Sequence, residues 1–151
     1  PSESAQIILD HVIDGVKLAE EYHLPRSFIR IIKEHHGTSI LYCFYNKEKS
    51  RLGDSSGLAD LSKFQYLGPK PGSKESSIIM MADIIEATFS SSQFEEVNEV
   101  VLNEMIEKLI LSKITEGQLS SSFLTFQEIE LIKKAIVQKL LGMQYKRSPV
   151  S

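Results

Sequence analysis

The stretch "IIKEHHGTSI", residues 31–40, closes an apolar run with two adjacent histidines, His35 and His36, followed by a glycine. The chain has only four histidines, so pairing two of them at one bend is unusual. Imidazole is the side chain that gains and loses a proton near neutrality, and it is a common ligand for transition metals. On a wheel of about 3.6 residues per turn, both histidines fall in the arc of Phe28, Ile29, Ile31 and Ile32, opposite Arg26, Arg30, Lys33 and Glu34. His11 lies outside the polar arc of its own helix (Gln6, Asp10, Asp14, Lys17, Glu20 and Glu21), at the border of the buried face. Asp83 is the only charge within "IIMMADII". Burying an unpaired carboxylate costs several kcal/mol, so Asp83 needs a cation, a metal or strong donors. Three inward imidazoles and one inward carboxylate suit iron, manganese, zinc or nickel and do not favour calcium. Two plainer readings stand beside this one: hydrogen-bonded core histidines, and an Asp83 paired with an arginine. His23, in the connection "EYHLP", reads as exposed.

The elements that must position these groups are helical. Residues 3–22 place Ala5, Ile8, Leu9, Val12, Val16 and Ala19 on one face, with Ser2 or Ser4 as cap. Gly15 inside that helix costs about 1 kcal/mol relative to alanine, which points to a close neighbour there. Pro25 suits the first turn of a second helix over 25–36, and Gly37 suits its left-handed end. A short third helix begins at "SILYCFYNKEK". Residues 50–73 form a long loop rich in glycine, serine and proline, of the kind that is functional or mobile. Further helices are expected over 74–90, 93–116 and 126–143. The first is apolar nearly all round and so central; the second can pack internally or on a neighbour. The third opens with a capping box, Thr125 to Glu128. The tail, 144–151, is expected to fray. No strand pattern or internal repeat competes.

Composition narrows the function classes. At 151 residues, with 42% hydrophobic and 25% charged, the chain is an ordinary globular domain. A formal charge of −3 gives no general reason to expect DNA or RNA binding. The single cysteine, Cys43, rules out an internal disulfide and fits a reducing, cytoplasmic setting. No apolar run approaches the roughly 18 residues of a membrane span, so this segment itself is not expected to contact a membrane. The start "PSESAQIILD" lacks an initiator methionine and a signal-peptide pattern, as expected of a piece of a longer chain.

Over nearly its whole length the chain resembles one family. "SAQIILDHVIDGVKLAEEYHLP", "FIRIIKEHHGTSILYCFYNK", "FQYLGPKPGSKESSIIMMADIIEATFSS" and "LTFQEIELI" follow in the order and spacing of the HD-domain phosphohydrolases of bacterial seven-transmembrane-HD receptors. The resemblance implies an all-α, HD-domain-like bundle of about five to six helices. It also implies a hydrolase of bacterial second-messenger signalling, which cleaves the cyclic dinucleotide cyclic di-AMP to linear pApA with two transition metals, iron or manganese. Carried over by motif, the metal ligands are His11, His35, His36 and Asp83. The family's upstream histidine and His-Asp pair have no counterpart, since no His-Asp dipeptide occurs. The expectation is therefore the C-terminal part of one HD-type domain, incomplete at its N-terminus, with no catalytic residue assigned within it. The parent protein is expected in the bacterial cell membrane with this domain on the cytoplasmic side.

Lys70 and Lys74 flank "GPKPGSKE" and are candidates for neutralising phosphate, or else solvated loop lysines. Thr38 could bond a phosphate or cap the next helix, and Tyr66, with Phe64, could stack on adenine or pack beneath its loop. A homo-oligomer is compatible with this pattern. Two competing functions remain: a non-catalytic nucleotide-binding or regulatory module, and an HD phosphohydrolase for another nucleotide. The "GPKP" loop argues against a cyclic di-GMP enzyme, whose loop reads "GYP".

Overall fold

The computed structural model describes residues 1–53, 57 and 59–147. Residues 54–56 and 58 of the long loop, and 148–151 of the tail, lie outside the described residues. Six α-helices are described: α1 (Ser2–Glu21), α2 (Arg26–Glu34), α3 (Tyr42–Leu52), α4 (Lys74–Ser91), α5 (Glu99–Thr115) and α6 (Phe126–Arg147). A 3₁₀ turn spans Leu61–Phe64. The all-α expectation holds; α6 continues past its expected end at 143. No helix among the described residues is long and apolar enough to cross a membrane. The chain forms two compact units, divided after Gly72.

In the first unit, α1 buries Ala5 and Ala19 and half-buries Ile8, Leu9, Val12 and Val16, the stripe read from its periodicity. Its helix begins at Ser2 with no side-chain cap, so neither Ser2 nor Ser4 caps it. Gly15 has its close neighbour: a Cβ there would lie 3.1 Å from Ile32 Cγ2. Pro25 stands at the N-cap of α2, and the helix stops at Glu34 rather than 36. Gly37 takes φ 52, and its amide donates to the Glu34 carbonyl at 2.8 Å. His35 and His36 therefore sit in the closing turn, where the His35 amide still donates to Ile31 O at 3.0 Å and the left-handed Gly37 ends the helix. Two wheel assignments fail because cover comes from elsewhere in the chain: Phe28 is 58% exposed, whereas Glu34, placed on the solvent arc, is 5% exposed beneath Gly72.

Helix α3 starts at Tyr42 rather than Ser39 because residues 39–41 are drawn into extended pairing with 64–66. The Leu41 amide donates to Phe64 O at 2.7 Å, the Tyr66 amide donates to Ser39 O at 3.0 Å, and Ile40 bridges Gln65. This is one isolated antiparallel bridge, not a strand. Asp60 caps the 3₁₀ turn, accepting from the Ser62 amide at 3.0 Å, and the turn buries Phe64 against the edge of Tyr45.

The second unit is a three-helix assembly. Met81 and Ile85 of α4 meet Leu102, Ile106 and Ile110 of α5 and Val137 and Leu140 of α6 in its buried core. The spacing of three or four residues within each set makes one apolar stripe per helix. Each helix is capped: Ser73 accepts from the Ser76 amide, Asn98 from the Val101 amide, and Thr125 from the Glu128 amide. Asn98 starts α5 later than the expected residue 93. The amphipathic stretch of α5 thus packs internally, leaving Val100 and Leu111 exposed. Contrary to the expectation of a fully central helix, α4 exposes Ile78, Ile79 and Asp83.

Candidate metal centre

Helix α1 carries His11, and the turn after α2 carries His35 and His36. In the first unit their rings converge, with one ligand nitrogen from each lying within 4.8 Å of the others. Ring centroids are 4.0 Å apart for His35–His36, 4.9 Å for His11–His36 and 5.7 Å for His11–His35. His11 is exposed, and His35 and His36 are half-buried. The inward placement expected of His35 and His36 is thus met only in part, and His11, expected at the border of the buried face, lies on its solvent side.

Backbone carbonyls orient two of the rings. His11 Nδ1 faces Ile8 O, and His35 Nδ1 lies 2.6 Å from Ile32 O. A carbonyl oxygen only accepts, so each Nδ1 carries the proton and each neutral ring keeps its lone pair on Nε2. The Nε2 atoms of His11 and His36 face each other at 3.1 Å. That contact takes one proton, which must leave if both nitrogens are to become ligands. Two imidazoles on one ion at about 2.0–2.1 Å stand roughly 3–3.4 Å apart, so the observed separation fits a shared divalent cation. Lone pairs aimed inward and N–H groups tied to main-chain oxygens are the arrangement metal sites use to fix tautomer and ring direction.

Tyr66 completes the cluster. It is 7% exposed and stacks on His36 with centroids 4.4 Å apart and planes 12° apart, and it meets the His11 ring in a T-shaped contact with centroids 5.9 Å apart. One face of its ring is therefore occupied by a histidine, a partner the sequence did not reveal; of the two roles considered for Tyr66 and Phe64, packing beneath the loop agrees with the burial of both. His36 and Tyr66 also line a cavity of about 330 Å³, walled by Leu9, Val12, Ile13 and Val16 and edged by Lys17 and Lys33.

The loop bearing Lys70 is tied on both sides to α2 and its closing turn. Gln65 Nε2 donates to Thr38 O at 3.0 Å, and Arg30 Nη2 donates to Gly72 O at 3.0 Å. Gly68, at φ 83, approaches so closely that a Cβ would lie 3.0 Å from Thr38 Cγ2. Lys70 is half-buried. Thr38 is in the turn, and the N-cap of α3 is Leu41, so Thr38 does not cap that helix.

Asp83 and Lys74 belong to the second unit. Asp83 is exposed on α4, so the argument that burial forces a partner on it does not apply. Lys74 Nζ donates to both carboxylate oxygens of Glu128, at 3.0 and 2.8 Å. That bond, with help from Thr125, pulls the Glu128 carboxyl down to about 2. The expected capping box is present, with the Thr125 amide donating to Glu128 at 3.0 Å, and Lys74 is an unexpected third member.

The family model described as "HD domain" matches residues 1–88. The cyclic-di-AMP phosphodiesterase PgpH of Bacillus subtilis (strain 168) is 36% identical over 147 residues, covering 97% of this chain and 20% of that protein. PgpH of Listeria monocytogenes serotype 1/2a (strain 10403S) is 35% identical over the same length and coverage. The crystal structure of the L. monocytogenes PgpH HD domain matches with a TM-score of 0.84 at 34% identity, over 95% of this chain and 64% of that one. The same domain in complex with cyclic-di-AMP matches with a TM-score of 0.85. The chain thus spans about a fifth of the length of these curated relatives. HD domains are metal-dependent, and the histidine cluster supplies ligands of the right chemistry. On a family match over more than half its length, the chain belongs to the HD-domain family.

Proposed function

We propose that this chain is part of a metal-dependent phosphodiesterase domain that hydrolyses cyclic di-AMP to linear pApA. The observation that carries the reading is the convergence of His11, His35 and His36 with two Nδ1 atoms tied to backbone carbonyls. The substrate is supported by the activity printed for both PgpH relatives and by the cyclic-di-AMP complex of the solved domain. His11, His35 and His36 would hold metal through ring nitrogens, and Asp83 is added as a carboxylate ligand by family resemblance. Iron or manganese, two ions in the complete domain, supplies Lewis acidity toward a phosphoryl oxygen and lowers the pKa of attacking water.

The chain's own groups do the rest. The Ile8 and Ile32 carbonyls keep their rings in one tautomer, and Tyr66 holds the plane of His36. Lys70 and Thr38, on the two segments joined through Gln65, are assigned to the substrate phosphates. Lys74 is a further phosphate candidate by sequence motif, and it would have to give up Glu128 to serve as one. Tyr66, one ring face of which is against His36, is assigned to the substrate on the same basis. The domain is the C-terminal part of one HD-type domain, carried on the cytoplasmic side of a membrane-anchored parent.

The test uses the parent enzyme with manganese and cyclic di-AMP. The expected product is pApA, and His36→Ala should reduce turnover to background and lower metal content by elemental analysis. Undiminished turnover in His36→Ala would remove the cluster from the chemistry.

A further inference from the structure

Glu34 immediately precedes the histidine pair, and its carboxylate is buried at 7% side-chain exposure. A buried carboxylate persists only where donors offset its lost hydration. Two donors are in place: Arg30 Nε at 3.0 Å and the Gly72 amide at 3.1 Å. Arg30 Nη2 in turn donates to the Gly72 carbonyl at 3.0 Å. Both backbone polar groups of Gly72 are thus held by two side chains one turn apart on α2. The backbone lies so close that a Cβ on Gly72 would be 2.7 Å from Arg30 Nη2 and 3.6 Å from Glu34 Oε1. The clamp grips the end of the Lys70 loop, while the Tyr66–Ser39 and Gln65–Thr38 bonds hold its start against the histidine turn.

We infer that Glu34, with Arg30 and Gly72, is a positioning group: it locks the last turn of α2 to the Lys70 loop and so fixes where His35 and His36 present their nitrogens. This rests on the metal reading above. Glu34 touches neither metal nor substrate in this role; it acts through the backbone that bears the ligands. The carboxylate rather than an amide is needed because one acceptor group must serve a guanidinium and a main-chain N–H together.

The experiment titrates Co(II) into the full 151-residue chain and into Glu34→Gln, Gly72→Ala and the double variant. Visible absorption reports ligand geometry, and hydrogen exchange reports the Gly72 amide. Expected are an intact helical circular dichroism spectrum, faster Gly72 exchange, an altered Co(II) spectrum and a loss of affinity of about 10-fold or more in each single variant, the size typical of outer-shell partners. The double variant should lose little more than either single one, since both break one clamp. Variants that lose thermal stability but keep the wild-type Co(II) affinity and spectrum would overturn the positioning role. Slow wild-type Gly72 exchange that stays slow in Glu34→Gln would overturn the clamp itself. If wild type and His36→Ala bind Co(II) equally poorly, the metal reading fails for this chain and the positioning role falls with it. Gly72 exchange then still decides whether the clamp exists.

Discussion

Each histidine of the cluster is placed by something other than its own side-chain preference. His11 and His35 are tied back to the carbonyls three residues earlier, a local bond available at any helix position, while His36 is placed by the ring of Tyr66. Tyr66 brings a large apolar area and a flat face in one side chain. Tyr66→Ala should therefore cost about 3–5 kcal/mol, the range for emptying a buried aromatic site. Tyr66→Phe should keep the stack and most of that stability. Denaturant unfolding of both variants checks this, and equal losses would show that the ring face is not what matters.

The helices show how far short-range rules reach. The capping box of α6 was legible from "TFQE" alone, because Thr125 and Glu128 satisfy each other within one turn. Lys74 was not legible as its third partner, being separated from Glu128 by two helices. The resulting ion pair makes a pH prediction. The folded carboxyl titrates at about 2 against an ordinary 4.5, so the unfolded chain binds the proton more readily. Stability from this group is fully present above the ordinary value and is lost as pH falls through the folded one. Glu128→Gln should thus lower the thermal midpoint at neutral pH, with the deficit shrinking between about pH 4.5 and 2. A deficit that does not change with pH would assign the loss to the cap's shape rather than its charge.

For the protein as a functional entity, the consequence of the site is linkage. A ligand that binds only folded chain stabilises it, by about 2.7 kcal/mol at 100 times its Kd. For a chain of this size that is roughly 5–10 °C in thermal midpoint. Manganese should produce such a rise in wild type and almost none in His36→Ala, whereas calcium should leave both unchanged. A rise of equal size in the variant would place the ion elsewhere.

Periodicity, caps and the company of the histidines were available from the letters because they are set within a turn or two of chain. The helical class, the buried stripe of α1, the close approach at Gly15 and the left-handed Gly37 all follow from such local constraints. Folding settled what lies over each face. Glu34 reads as solvent-facing until Gly72 arrives to cover it, and Phe28 and Asp83 read as buried although both are exposed. The 3.1 Å meeting of His11 with His36 joins residues 25 positions apart. A wheel gives the direction of a side chain from its own helix, and burial depends on a neighbour whose position no local rule contains.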